Sequence, residues 1–187
     1  MNLIFKSTVV LAIVAATFTN NVNMKKINTE KSTAVWTGKK FGGQHTGTIN
    51  LTSGTLEFEN DKIKGGSFVI DMSSLLVTDL EGEMKGKLEG HLKSDDFFST
   101  ANHPQATLDF TSIDNKEGYA TITADLSIKG ITHPITFDLT YNNNEATTTL
   151  VIDRSKYNVK YGSKSFFKGL GDNFIYDNFE VEVSLIY

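Results

Sequence analysis

The chain has 187 residues, 39% of them hydrophobic and 21% charged, no cysteine, and a formal net charge of −4. That is enough chain for one globular domain with a sizeable core, and the missing cysteines exclude a disulfide framework and a lipid-modified amino-terminal cysteine. Mild acidity argues against a nucleic-acid partner, which calls for a basic face.

The first residues, MNLIFKSTVVLAIVAATFTNN, place Lys6 before an apolar run from Thr8 to Phe18 and then turn polar. This is the plan of a secretory signal peptide, too short to span a bilayer. We therefore expect a signal peptide at 1–21, cleaved between Ala16 and Asn23, and a mature domain over 22–187 that is periplasmic or secreted. Loss of Lys6 takes the formal charge to −5.

From Ser32 onward the sequence alternates with period two, the signature of half-buried strands. Ala34, Trp36 and Gly38 share one parity, then Ile49 and Leu51. Ser53-Gly54 reads as a turn into a strand with Leu56 and Phe58 inward, and Asn60-Asp61 as the next turn. Phe68, Ile70 and Met72 alternate after Gly65-Gly66, completing an antiparallel meander.

The pattern then changes. Thr78 and Glu81 form a capping-box sequence, and Leu80, Met84, Leu88 and Leu92 recur at helical spacing, which predicts a helix of about three turns. Gly82, Gly86 and Gly90 each weaken it, by roughly 1 kcal/mol against alanine. The arm GHLKSDDFFSTANHPQATLDF, residues 90–110, follows and returns the chain to strands. Alternation is cleanest in Ala120, Ile122, Ala124, Leu126 and Ile128, continues through Ile135, Phe137, Leu139 and Tyr141, and closes with Phe179, Val181, Val183, Leu185 and Tyr187.

Eight or nine amphipathic strands and one helical interruption predict an all-β fold, an antiparallel barrel or sandwich, and closure leaves no sticky edge. A barrel of about eight strands is either filled by side chains or holds one small ligand. The small residues Ala34, Gly38, Ala120, Ala124 and Ala146 among the inward positions favour an elongated apolar cavity over a solid aromatic core.

Residues 153–168, DRSKYNVKYGSKSFFK, carry the single arginine, Arg154, and Lys156, Lys160, Lys164 and Lys168 among aromatics. They read either as a basic, aromatic lip meeting an anionic headgroup or membrane surface, or as a solvated loop plugging one barrel end. Of the four histidines, His103 and His133 precede prolines and read as turn residues, whereas His45 and His91 are candidates for lining a mouth. None has metal-site spacing, so no metal or cofactor is expected.

The segments STAVWTGKK, GGQHTGTI, GGSFVIDM, GHLKSDDFFSTANHPQATLDF, LSIKGITHPITFDL and FEVEVSLI resemble the YceI-like family of exported bacterial proteins, nearly throughout the mature chain. The resemblance implies an extended lipocalin-like antiparallel β-barrel whose tunnel binds a long isoprenoid or other amphiphilic lipid, without established catalysis. Candidate ligand contacts are Trp36, Phe68, Phe110, Ile122, Leu126 and Phe137 along the interior, His45 and His91 at a mouth, Phe166 and Phe167 on the lip, and Phe41, Phe97 and Phe98 besides. The expected role is non-catalytic binding, storage or transport of such a lipid, with transient membrane contact and a homodimer both compatible with the sequence. The competing reading is an enzyme acting on the lipid, with His91, Asp95 and Asp96 as the reacting cluster.

Overall fold

The structure, a computed structural model, describes residues 22–187, so the expected signal peptide lies outside the described residues. The strands are β1 (Val22–Lys26), β2 (Thr33–Lys40), β3 (Gly43–Glu59), β4 (Lys62–Val77), β5 (Gln105–Asn115), β6 (Tyr119–Ile128), β7 (Ile131–Tyr141), β8 (Glu145–Asp153) and β9 (Ile175–Ile186). One helix, α1 (Gly82–Lys93), follows β4, and a 3-10 turn (Arg154–Tyr157) follows β8. Strands β2 to β9 pair antiparallel in the order 3-2-9-8-7-6-5-4, and β3–β4 pairing closes the ring. Strand β1, which the sequence pattern did not reveal, adds to the second half of β3.

Alternation sets inside from outside. On β6, Ala120, Ile122, Ala124, Leu126 and Ile128 are buried, while Thr121, Thr123, Asp125 and Ser127 face out. The outward row is polar, the reverse of the apolar band on a membrane-spanning barrel. No helix among the described residues is long and apolar enough to cross a membrane.

Four local expectations are corrected. Ser53-Gly54 is no turn: β3 runs through it with a register shift between Leu51 and Ser53. Gly54 is there because a side chain would strike the Phe68 ring, 2.7 Å from where its Cβ would lie. The Thr78–Glu81 capping box does not form; Thr78 donates to the Thr46 carbonyl, and Glu81 precedes the helix with no side-chain cap. Helix α1 is instead tied down by Glu89, which accepts from the Val77 amide at 2.9 Å, and by Leu92 and Leu88, whereas Met84 faces solvent. Gly86 and Gly90 have open space around them, so nothing in the packing compensates their cost to the helix. Finally, His133 and Pro134 lie inside β7, not in a turn.

Proline is tolerated there because the β7–β8 seam is mostly unpaired. Only Thr140–Thr147 and Tyr141–Ala146 are in register, so β7 residues nearer its start have a free edge toward β8. The Thr148 hydroxyl, donating to the Asp138 carbonyl at 2.7 Å, is a side-chain stitch just where the ladder stops.

A second irregularity shapes the interior. Between Thr48–Leu76 and Asn50–Asp71, β4 carries extra residues, and Ser73 and Ser74 hold the resulting bulge through Asp71 and the Asn50 amide. The bulge resets parity, so Met72 and Leu75 both point inward.

Candidate functional site

The end of the barrel where β3 turns into β4 is packed solid. Leu56, Ile63, Ala120, Ile122 and Ala146 are fully buried there. Phe58 packs on Tyr141 and Tyr187 with ring centroids 6.0 and 5.6 Å away. Tyr141 donates to Asn115, which donates to the Ile63 carbonyl, and Tyr187 donates to the Asn142 carbonyl at 2.6 Å.

Toward the other end the walls separate around an apolar cavity of about 170 Å³. Every barrel strand contributes apolar side chains to it, Trp36, Phe68, Leu108, Leu126, Phe137, Leu150 and Phe179 among them. Trp36 lies across β3 because position 47 is glycine: a Cβ there would sit 2.5 Å from the indole and 1.8 Å from the Leu76 carbonyl, to which the indole N–H donates at 3.1 Å.

The arm after α1 caps this end. Asp95 accepts hydrogen bonds from Ser99 and Asn102, and Ser99 takes a left-handed backbone (φ 50°), folding the arm back on itself. Lys129 reaches in to donate to the Phe97 carbonyl at 2.7 Å. The result aims Phe97 and Phe98 into the cavity, edge to face with centroids 5.0 Å apart, and sets Phe98 against Phe179.

One charged side chain lines this apolar space. Arg154, 2% exposed, donates to the carbonyls of Val159, Ile175 and Tyr176 at 3.0, 3.1 and 3.2 Å and pairs with Asp177 at 3.4 Å. Burial lowers the guanidinium pKa, against the opposing pull of Asp177 and Asp153. The arginine is therefore part of the wall, neither on a headgroup-binding lip nor in a solvated loop.

Of the residues expected to touch a ligand, Trp36, Phe68, Phe97, Phe98, Phe110, Leu126 and Phe137 line the cavity. The others are placed elsewhere. Ile122 belongs to the solid end, as do Ala120 and Ala146; Ala124 is fully buried and also outside the lining. The space is thus left by Ala34, Gly38 and Ala106, and not by the small residues of β6. Phe41 is 52% exposed and rests against Phe174. His45 hydrogen-bonds Asp79 at 2.9 Å. Burial pushes the Asp79 carboxyl up, but the bonds from His45 and the Thr46 backbone prevail and hold it below the usual value. His91 stands behind the cap, its ring 4.3 Å from that of Tyr161 and 5.5 Å from that of Phe97. Phe166 and Phe167 lie exposed on the loop before β9, where Lys160 and Lys164 cover Phe166 and Phe174.

A closed antiparallel barrel around an apolar void is the architecture of a small-ligand-binding barrel. The YceI-like domain family matches residues 25–187, and the chain belongs to it. Protein YceI of Escherichia coli O157:H7 is 30% identical over 92 residues, 49% of this chain and 46% of that protein. A UPF0312 protein of Shewanella denitrificans is 34% identical over 91 residues, 48% and 46% of the two chains. The chain thus spans about half the length of these curated relatives. Among solved structures, Burkholderia cenocepacia BcnA superposes with a TM-score of 0.69 at 22% identity, covering 86% of this chain and 99% of that one. A polyisoprenoid binding domain from Saccharophagus degradans gives 0.60 at 15% identity, covering 89% and 98%. At such identities the likeness is one of fold.

Proposed function

We propose that the barrel holds the hydrocarbon chain of a long isoprenoid or similar amphiphilic lipid, storing or carrying it without chemical change, in the periplasm or outside the cell. The observation that carries this reading is the void itself, walled by apolar side chains from all eight barrel strands. Moving hydrocarbon from water into such a space is favourable by roughly 25 cal/mol per Å² buried. The polyisoprenoid-binding neighbour and the signal-like residues 1–21 support the ligand class and the export. Exposed Phe41, Tyr161, Phe166 and Phe167 near Lys160 and Lys164 support transient contact of the cavity end with an anionic membrane surface, in one copy or as a homodimer.

The geometry favours binding over reaction. Asp95 is committed to Ser99 and Asn102, and His91 is held between Phe97 and Tyr161, with no hydrogen bond joining the two. Mass spectrometry of lipid extracted from protein purified from its native host should find a prenyl-chain lipid whose mass is unchanged after prolonged incubation. Protein that carries no lipid would refute the binding reading, and a product of altered mass would replace it with catalysis.

A further inference from the structure

The charge inside the cavity wall is balanced before any ligand arrives. Strand β8 ends at Asp153, whose carboxylate accepts from the Ser155 amide and hydroxyl and so starts the 3-10 turn that throws Arg154 inward. Three carbonyls and Asp177 then absorb the guanidinium, while Ser165 fixes Asp177 by donating to its second oxygen at 2.6 Å. Arg154 lines the void and Asp177 does not, so the cation stands between the cavity and its counter-charge.

Two other polar groups of the lining, on Trp36 and Thr148, are likewise committed. The Trp36 indole serves the Leu76 carbonyl and the Thr148 hydroxyl serves Asp138. No lysine, histidine, aspartate or glutamate lines the space. Around the cap, Lys129 is spent on the carbonyls of Asp95, Phe97 and Asn158. An ion moved into a low-dielectric space without a free counter-charge loses its hydration and gains nothing in exchange.

We infer that the cavity takes a prenyl chain with an uncharged head and rejects the phosphate ester of the same chain, and that Asp177, by neutralising Arg154, sets this selectivity. The inference rests on the lipid-binding reading and sharpens it to a ligand class. Removing the carboxylate while keeping its shape, Asp177→Asn, takes away the paired counter-charge, leaves Arg154 only the weaker pull of Asp153, and should turn the preference toward anions.

Trp36, the single tryptophan, lines the cavity and reports its occupancy by fluorescence. The full chain is titrated with geranylgeraniol and with geranylgeranyl phosphate. The alcohol should bind at least about tenfold more tightly to the natural protein, and Asp177→Asn should shrink that ratio by about tenfold or more. Circular dichroism and alcohol binding show whether the variant is folded; if it is not, the ratio in the natural protein decides alone. Phosphate binding as tight as alcohol binding in the natural protein overturns the inference while leaving the lipid-binding reading intact. An unchanged ratio in folded Asp177→Asn overturns the role of Asp177. Failure of both probes to bind overturns the lipid-binding reading itself.

Discussion

At the Asn60 end of the barrel, Leu56, Ile63 and Ile122 meet with no space between them, and tyrosine hydroxyls tie the rim together. At the Arg154 end, strands with the same alternating pattern surround a void, closed by side chains that arrive from outside the strands: Leu92 from α1, Phe97 and Phe98 from the arm, Arg154 from the 3-10 turn. Alternation decides which side chains face inward. Whether they fill the interior is decided by bulges, caps and connections that bring further groups to it.

If the ends differ in this way, substitutions should separate stability from binding. The largest effect is expected at Arg154. Arg154→Met strands Asp177 and three carbonyls in an apolar wall and should cost about 3–5 kcal/mol in chemical denaturation. A loss below about 1 kcal/mol would mean that the pair is far better hydrated than its burial implies. Next comes Ile122→Ala at the solid end, where a new hole costs about 2–5 kcal/mol and lipid content should not change. Its counterpart, Ala106→Phe, puts a ring into existing space and should expel lipid with little loss of stability; overpacking of 1–3 kcal/mol, as in a filled core, would count against an open cavity.

The smallest effects distinguish one tyrosine at each end. Burial, with Asp153 nearby, pushes the Tyr157 hydroxyl up to about 12, and burial with Tyr141 and Glu145 does the same for Tyr187. In the unfolded chain both ionise near 10, so their contribution is fully present below about pH 10 and drains away as pH rises toward about 12. Either Tyr→Phe change should flatten that alkaline loss in a pH series of melting curves. At neutral pH they part: Tyr187→Phe removes bonds to the Asn142 and Glu145 carbonyls and should cost about 1 kcal/mol, whereas the Tyr157 hydroxyl has no partner to lose.

The barrel strands were legible because each carries several clean alternations, and the aromatic lining from Trp36 to Phe137 followed from the same parity. What was not legible depends on contacts between distant segments. Ser53-Gly54 has the composition of a turn, yet its glycine answers to Phe68 across the sheet. Ser73-Ser74 breaks the alternation and conceals that Leu75 faces inward. Arg154 sits in a basic run that reads as a headgroup-binding lip or a solvated loop. The available clue was its identity, the single arginine in the chain, since a weakly hydrated planar fork is the cation suited to burial.

The short pairing of β7 with β8 gives the barrel a direction in which it is weak. Most seams are laced by ladders of five or more residue pairs, and this one by two pairs and a threonine hydroxyl. Opening the wall elsewhere means breaking many backbone bonds at once, whereas a door hinged on β7 would break only two pairs and leave the neighbouring ladders shut. Thr148 lines both the interior void and a groove on the outer surface, so such a door would connect the two. Amide exchange along the unpaired stretches of β7 and β8 should therefore be the fastest in the barrel wall, and should slow when the cavity is filled.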